Sequence, residues 1–318
     1  MKPLRRILAA LIALCACAAM TAAPAQAKVS GPNGRVLFAR FDPETVDGTL
    51  IFTANSDGTD EQQLLPDPSC CAHWSPDGSK ISAAASAPDG RVTTALVNPD
   101  GSGFVAETIP DPTLNLECPA WAPDGSRLAC EGFDEARPDR PAGLFTIRAA
   151  DWGDLVRLTT NPFGTGDIPG DYSPDGTRIV FLRENPRVHG VALFVVNVNG
   201  SGLRQITPWQ PGNLPSASWS PDGQWILTDN AQGGLYVVHP DGTGRHQIPV
   251  AGSGARAFAF QPGWSPDGRK IVFSLFTGTG PGTGREDIYT ANADGTGVTH
   301  VTTTPDFEEG ADWGPYTG

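Results

Sequence analysis

Trp219-Ser220-Pro221-Asp222-Gly223 decides the fold, because near-copies of these five residues stand along the whole chain. They recur as Trp74-Ser-Pro-Asp-Gly78, Trp121-Ala-Pro-Asp-Gly125, Tyr172-Ser-Pro-Asp-Gly176 and Trp264-Ser-Pro-Asp-Gly268, and an eroded sixth copy, Trp313-Gly-Pro-Tyr316, closes the sequence. The aromatics are spaced 47, 51, 47, 45 and 49 residues apart. A period of that length is the mark of a repeat architecture. Within the motif, Pro presets φ near −65°, Asp suits the next turn position, and Gly takes the φ > 0 place that closes a type I turn with a bulge. Strand-like runs follow the turn directly, as in Arg178-Ile-Val-Phe-Leu182 and Lys270-Ile-Val-Phe-Ser274. Each copy therefore reads as a hairpin tip. The aromatic ahead of it reads as a core plug.

Working outward, each unit carries a second Gly-bearing turn. It appears as Asn55-Ser-Asp-Gly-Thr59, Asn98-Pro-Asp-Gly-Ser-Gly103, Asn197-Val-Asn-Gly-Ser-Gly202, His239-Pro-Asp-Gly-Thr-Gly244 and Asn292-Ala-Asp-Gly-Thr-Gly297, with Asp151-Trp-Gly-Asp154 in the third unit. Two turns among short strands, with no amphipathic helical period, make four strands per unit. The expected fold is all-β: a six-bladed β-propeller of four-stranded antiparallel blades. The chain enters on the strand after an aromatic-Pro turn and ends on the strand before one. The last strand, around Gly310–Trp313, is therefore expected to complete a first blade begun by Arg35–Leu65, leaving no free edge.

The 318 residues, 39% hydrophobic and 18% charged with 38 Gly and 30 Pro, suit a globular protein of many short strands and tight turns. At the N-terminus, Lys2, Arg5 and Arg6 precede an apolar run from Ile7 to about Met20, and Ala25-Gln-Ala27 supplies small residues for cleavage. Residues 1–27 read as a signal peptide, and 28–318 as a single propeller domain. Two variants of the leader use the same residues: a twin-arginine signal at Arg5-Arg6, or a lipobox at Leu14-Cys-Ala-Cys17 with a lipid on Cys17. No later segment has the ~18 apolar residues of a spanning helix. Removing the three leader cations takes the formal charge from −13 to −16. Such a surface repels phosphate backbones, which argues against nucleic acid as a partner.

Without the leader four cysteines remain: Cys70, Cys71, Cys118 and Cys130. If the turn centres near Asp124, Cys118 and Cys130 lie opposite each other across one hairpin, within disulfide reach. Cys70 and Cys71 are then free, bridged to each other, or bonded elsewhere. A zinc site is a poor match, since the spacing lacks a Cys-x-x-Cys pair and His73 alone cannot complete the ligand set.

The phrase Trp-Ser-Pro-Asp-Gly-x-x-Ile-Val-Phe, followed by Ile288-Tyr-Thr-Ala-Asn-Ala-Asp-Gly-Thr-Gly297, resembles the WD-like repeat of the TolB-type β-propellers. The resemblance runs from about Arg35 to Trp313 and implies six blades and a periplasmic, protein-binding role. TolB-type proteins carry an α/β domain ahead of the propeller, whereas here only Lys28–Gly34 separates leader from first strand. Peptidase propellers have similar repeats beside a hydrolase domain, but no Gly-x-Ser-x-Gly elbow occurs here.

Both kinds of Gly-bearing turn fall on one face of the ring, leaving the irregular loops on the other. Variable loops on a rigid frame are the usual place for binding. The candidates there are Glu131, Asp134, Glu135, Arg137, Asp139 and Arg140 in one loop, and Arg183, Glu184, Arg187 and His189 in the next. His73, Asp171 and Asp312 each precede a repeat aromatic and could meet in the channel on a cation or polar ligand, set against ordinary hydrogen bonding there. Asp57, Asp100, Asp241 and Asp294 have a faint calcium-loop character but lack a distal Glu, so turn formation is the plainer reading and no cofactor is expected. The leading functional expectation is an exported, monomeric, non-enzymatic scaffold binding a protein or envelope component. The alternatives are a propeller lyase or hydrolase acting on extracellular carbohydrate, and a propeller holding a small ligand.

Overall fold

The computed structural model describes residues 31–41, 48–65, 69–87, 89–107, 109, 111, 113–134, 142–211, 216–230, 232–250, 257–278 and 284–317. The leader, with Cys17, and Arg137 lie outside these. Every regular element among the described residues is a strand, and the strands form six antiparallel sheets. No described helix is long and apolar enough to cross a membrane.

Blade 1 runs, from the axis outward, Glu308–Pro315, Asn33–Phe41, Thr49–Ala54 and Gln62–Gln63. Blade 2 is His73–Trp74, Ile81–Ser86, Val92–Val97 and Val105–Ala106, and blade 3 is Asn115–Trp121, Arg127–Phe133, Gly143–Arg148 and Val156–Arg157. Blade 4 is Asp167–Tyr172, Arg178–Asn185, Gly190–Asn197 and Arg204–Gln205, with Gln210–Pro211 added beside its third strand. Blade 5 is Ala217–Trp219, Ile226–Asp229, Leu235–Val238 and His246–Ile248, and blade 6 is Ala257–Trp264, Lys270–Thr277, Arg285–Asn292 and Thr299–His300. The C-terminal strand closes the ring as the sequence implies. Val36 faces Trp313 and Leu37 faces Asp312, Trp313 Nε1 donates to Gly34 O at 3.1 Å, and Arg40 pairs with Glu308 at 2.9 Å.

The repeat motif shows why its residues are needed. In blade 5, Gly223 N donates to Ser220 O at 2.8 Å, and Gly223 sits at φ 72°. Ser220 Oγ donates to Asp222 Oδ1 at 2.6 Å, and the same oxygen accepts the Gln224 amide at 3.0 Å. Two side chains, Ser220 and Asp222, thus lock a turn that backbone bonds alone would leave open to water. In the outer turn, Gly101 has φ 80°, and a Cβ there would lie 2.2 Å from Leu64 O of the preceding blade. Glycine is required twice at that spot, for conformation and for close approach of the blades.

The core lies between blades. Val180, Leu182, Leu193 and Val195 of blade 4 pack on Ala217, Trp219, Ile226 and Val238 of blade 5. Ile179, Phe181, Phe194 and Val196, from the same two strands, pack backward on Leu144 and Leu158 of blade 3. Because both faces of a blade are buried, Ile179–Leu182 reads as a continuous apolar run rather than an alternation. The six repeat aromatics are at most 6% exposed and plug these seams.

Candidate functional site

Inner strands run from the irregular-loop face toward the Pro-Asp-Gly turns, and second strands run back. The starts of the former and ends of the latter therefore meet around the channel mouth on the irregular-loop face. Acidic side chains gather there. Glu117 stands directly across from Glu131 in blade 3, an arrangement that costs free energy if both are ionised. Burial pushes the Glu131 carboxyl up to about 8, with Glu117, Glu184 and Asp167 adding to the rise. At neutral pH Glu131 therefore keeps its proton. Burial likewise carries Glu286 up to about 9, helped by Glu309 and Glu308, and Asp229 up to about 7 against the hydrogen bonds it accepts. One of these comes from Ser216 N at 2.7 Å. Glu117, Glu184 and Glu309 are raised by burial too. The mouth is thus lined by acids held partly in their neutral, hydrogen-bond-donating form.

The charged loop residues divide sharply. Arg183 is buried and grips Asp167 with Nε to Oδ1 at 2.7 Å and Nη2 to Oδ2 at 2.6 Å, its guanidinium lying 5.0 Å from the Phe194 ring. Asp134 is 5% exposed and accepts from Thr113 Oγ1 at 2.9 Å. Arg187 and His189 stand at the exposed tip of the hairpin joining Arg178–Asn185 to Gly190–Asn197, beside Val188 at 53% exposure. Arg187 reaches over Phe163 at 5.6 Å, and Phe163 sits edge-on to Trp209 at 5.9 Å.

The residues before the repeat aromatics work between blades. Asp171 Oδ2 accepts the Trp219 amide at 2.8 Å, and Asp312 Oδ2 accepts the Trp74 amide at 2.9 Å. Each carboxylate thus ties its own inner strand to that of the next blade. Both are at most 1% exposed, as is His73. Among the described residues no three His, Cys, Asp or Glu side chains are placed to hold a metal ion. Asp57, Asp100, Asp241 and Asp294 each accept, through Oδ1, the hydroxyl of the residue two ahead, at 2.6 to 2.7 Å. The Cys118–Cys130 bond is present within its hairpin. Cys118 sits in a bulge, because the pairing slips between Glu117 and Ala120.

Over 130 residues the chain is 35% identical to the Tol-Pal system protein TolB of Anaeromyxobacter dehalogenans (strain 2CP-C), covering 41% of this chain and 27% of that protein. The crystal structure of TolB from Acinetobacter baumannii superposes with a TM-score of 0.68 at 18% identity, covering 89% of this chain and 67% of that one. The propeller is TolB-like.

A putative TolB from Agrobacterium tumefaciens gives a TM-score of 0.63 at 16% identity, over 88% of this chain and 92% of that one. At such identities the structural likeness speaks for the fold alone. No protein-family model matches the chain. The aligned stretch is about a quarter of the Anaeromyxobacter relative's length. In this TolB-like propeller, sequence reasoning missed Glu117, Asp229 and Glu309 at the channel mouth, and Glu286 at the start of the third strand of blade 6. Counting strand register from the Pro-Asp-Gly turn sets Glu117 opposite Gly132, and it is the bulge between Glu117 and Ala120 that brings it opposite Glu131. Nothing local marks Glu286, which meets Glu309 only because the ring closes.

Proposed function

We propose that the protein is an exported, non-enzymatic propeller that binds a protein or other cell-envelope component through its irregular-loop face. The observation that carries this reading is the contrast between the two faces. On the turn face the repeat carboxylates are spent inside their own turns. On the other face, the exposed Arg187-Val188-His189 tip offers apolar surface with charge beside an acid-lined mouth, the pattern of a contact rim. The sequence likeness to Tol-Pal proteins supports an envelope setting. The reading carries a leader removed after Ala27, a monomer and no cofactor.

The test is affinity capture from an envelope fraction with the mature chain. An R187E/H189E variant should lose captured protein at least tenfold, while the turn-face variant Asp241→Lys should match the wild type. Loss with the turn-face variant and retention with the rim variant would overturn the assignment.

A small-ligand reading has one observation in its favour. A cleft of about 610 Å³ opens between blades 5 and 6 on the turn side, lined by Trp225, His246, Trp264, Asp222 and Asp267. Trp225 there stacks on His239 at 3.7 Å, where blades 2, 4 and 6 set Lys80, Arg178 and Lys270 against Asn98, Asn197 and Asn292. Calorimetry with monosaccharides and simple amines would reveal such a ligand, and heats no larger than dilution would count against it.

A further inference from the structure

Cys70 and Cys71 begin the inner strand of blade 2, just before His73–Trp74. Successive side chains on a regular strand point to opposite faces. Here they do not. Cys71 adopts φ 57°, in the left-handed region that residues other than glycine enter rarely. The result brings the two sulfurs to 2.8 Å, with the Cys71 thiol turned onto Cys70 Sγ. The left-handed step belongs to the frame, since Gln261 and Gly310, likewise three residues before their aromatics, have φ 49° and 66°. Only in blade 2 does it fall on one of two adjacent cysteines.

We propose that Cys70 and Cys71 close a reversible vicinal disulfide at the channel mouth, formed and broken by exchange with an external disulfide or dithiol. Three further observations support this. Cys118 and Cys130 are bonded to each other, so neither competes for these sulfurs. Both Cys70 and Cys71 are partly exposed, whereas Cys118 and Cys130 are at most 1% exposed, so reagents can reach the first pair. Adjacent Cα atoms lie only ~3.8 Å apart, below the usual span of a disulfide, so the small ring should be reducible rather than permanent.

The neighbours shape the chemistry. Glu117 and Glu309 flank Cys71, and the contact with Cys70, burial and these two carboxyls together push its thiol well up. Oxidation is by exchange with a disulfide donor, and a thiolate is the attacking species. One cysteine, as thiolate, attacks a donor sulfur. A mixed disulfide forms and the first donor thiolate leaves. The second cysteine then loses its proton and attacks its neighbour's sulfur, and the second donor thiolate departs. Two electrons and two protons pass to the donor, leaving it a dithiol. Closing the bridge removes the Cys71 thiol proton beside Glu117 and Glu309, so the two redox forms present different donors at the mouth. That consequence rests on the exported, mouth-binding reading given above.

The tryptic peptide Phe41–Lys80 carries no other cysteine, which makes the test direct. The folded mature chain is equilibrated with oxidised glutathione, denatured, alkylated and mapped without reduction. The expected peptide is two hydrogens lighter than the dithiol and takes up two alkyl groups only after reduction. Reduced wild type should bind one phenylarsine oxide, and Cys71→Ser none. Two alkyl groups without prior reduction, or a link from Cys70 or Cys71 to Cys118, would overturn the proposal. The same map on protein taken from cells separates the two readings. A bridge that forms with glutathione but is absent in vivo would count against export and leave the site's chemistry standing.

Discussion

Trp219→Ala should cost about 3–5 kcal/mol of folding stability. The side chain is fully buried, packed by Val180, Leu182, Leu193, Val195, Ile226 and Val238 from two blades. A buried indole removes roughly 150–250 Å² from water, worth about 4–6 kcal/mol at ~25 cal/mol per Å² as an upper bound. Core truncations of Trp to Ala fall at about 3–5 kcal/mol. Losing the indole bond to Gly223 O, 3.1 Å long, adds about 1 kcal/mol. Trp219→Phe keeps most of the ring and should cost about 1–2 kcal/mol. The backbone amide that Asp171 holds survives both changes, so the ring term is isolated. For a propeller of this size, 3–5 kcal/mol is a Tm loss of roughly 5–10 °C. Urea unfolding is the assay, and the midpoint should fall with the slope unchanged. A Trp219→Ala protein within about 1 kcal/mol of wild type would refute the plug reading.

Deleting Gly310–Gly318 removes the inner strand of blade 1, and should give aggregation or loss of a single cooperative transition. A truncated chain melting as sharply and as high as wild type would contradict ring closure. Breaking Cys118–Cys130 should cost roughly 2–3 kcal/mol, since the closed loop is short, while the propeller still folds; circular dichroism of a C118A/C130A variant checks both halves. Glu131, Asp229 and Glu286 hold protons in the folded state up to about 8, 7 and 9, which the unfolded chain releases near ~4. Their contribution is therefore full below ~4 and is lost as pH rises toward about 9. Tm should fall between neutral and alkaline pH, and E131Q/E286Q should flatten the decline. A Tm that rises with pH, or a slope untouched by those substitutions, would refute the protonated mouth.

The ring was legible because its information is local and repeated. A Ser, an Asp and a Gly within four residues lock four of the turns, and six copies of the motif average out the noise of any one. Closure was legible because the strand missing at one end of the chain is present at the other. The working residues were less legible, for a geometric reason. Asp171 and Asp312 each precede an aromatic, which marked them, but the amides they hold belong to the next blade, 48 and 238 residues away. Arg183 read as a loop charge because the second strand of blade 4 was expected to end earlier. It continues to Asn185, and that extra length sets Arg183 opposite Asp167. The acidic mouth takes side chains from several blades, so no window of sequence contains it.

The central claim, that the irregular-loop face is the one that meets an envelope component, is tested most directly by photo-cross-linking in living cells. A photoreactive amino acid is placed at Val188 on that face and, separately, at Thr243 on the turn face, both exposed or half-exposed. The account predicts adducts with an envelope protein from position 188 and none from position 243. Adducts from 243 with none from 188 would contradict it.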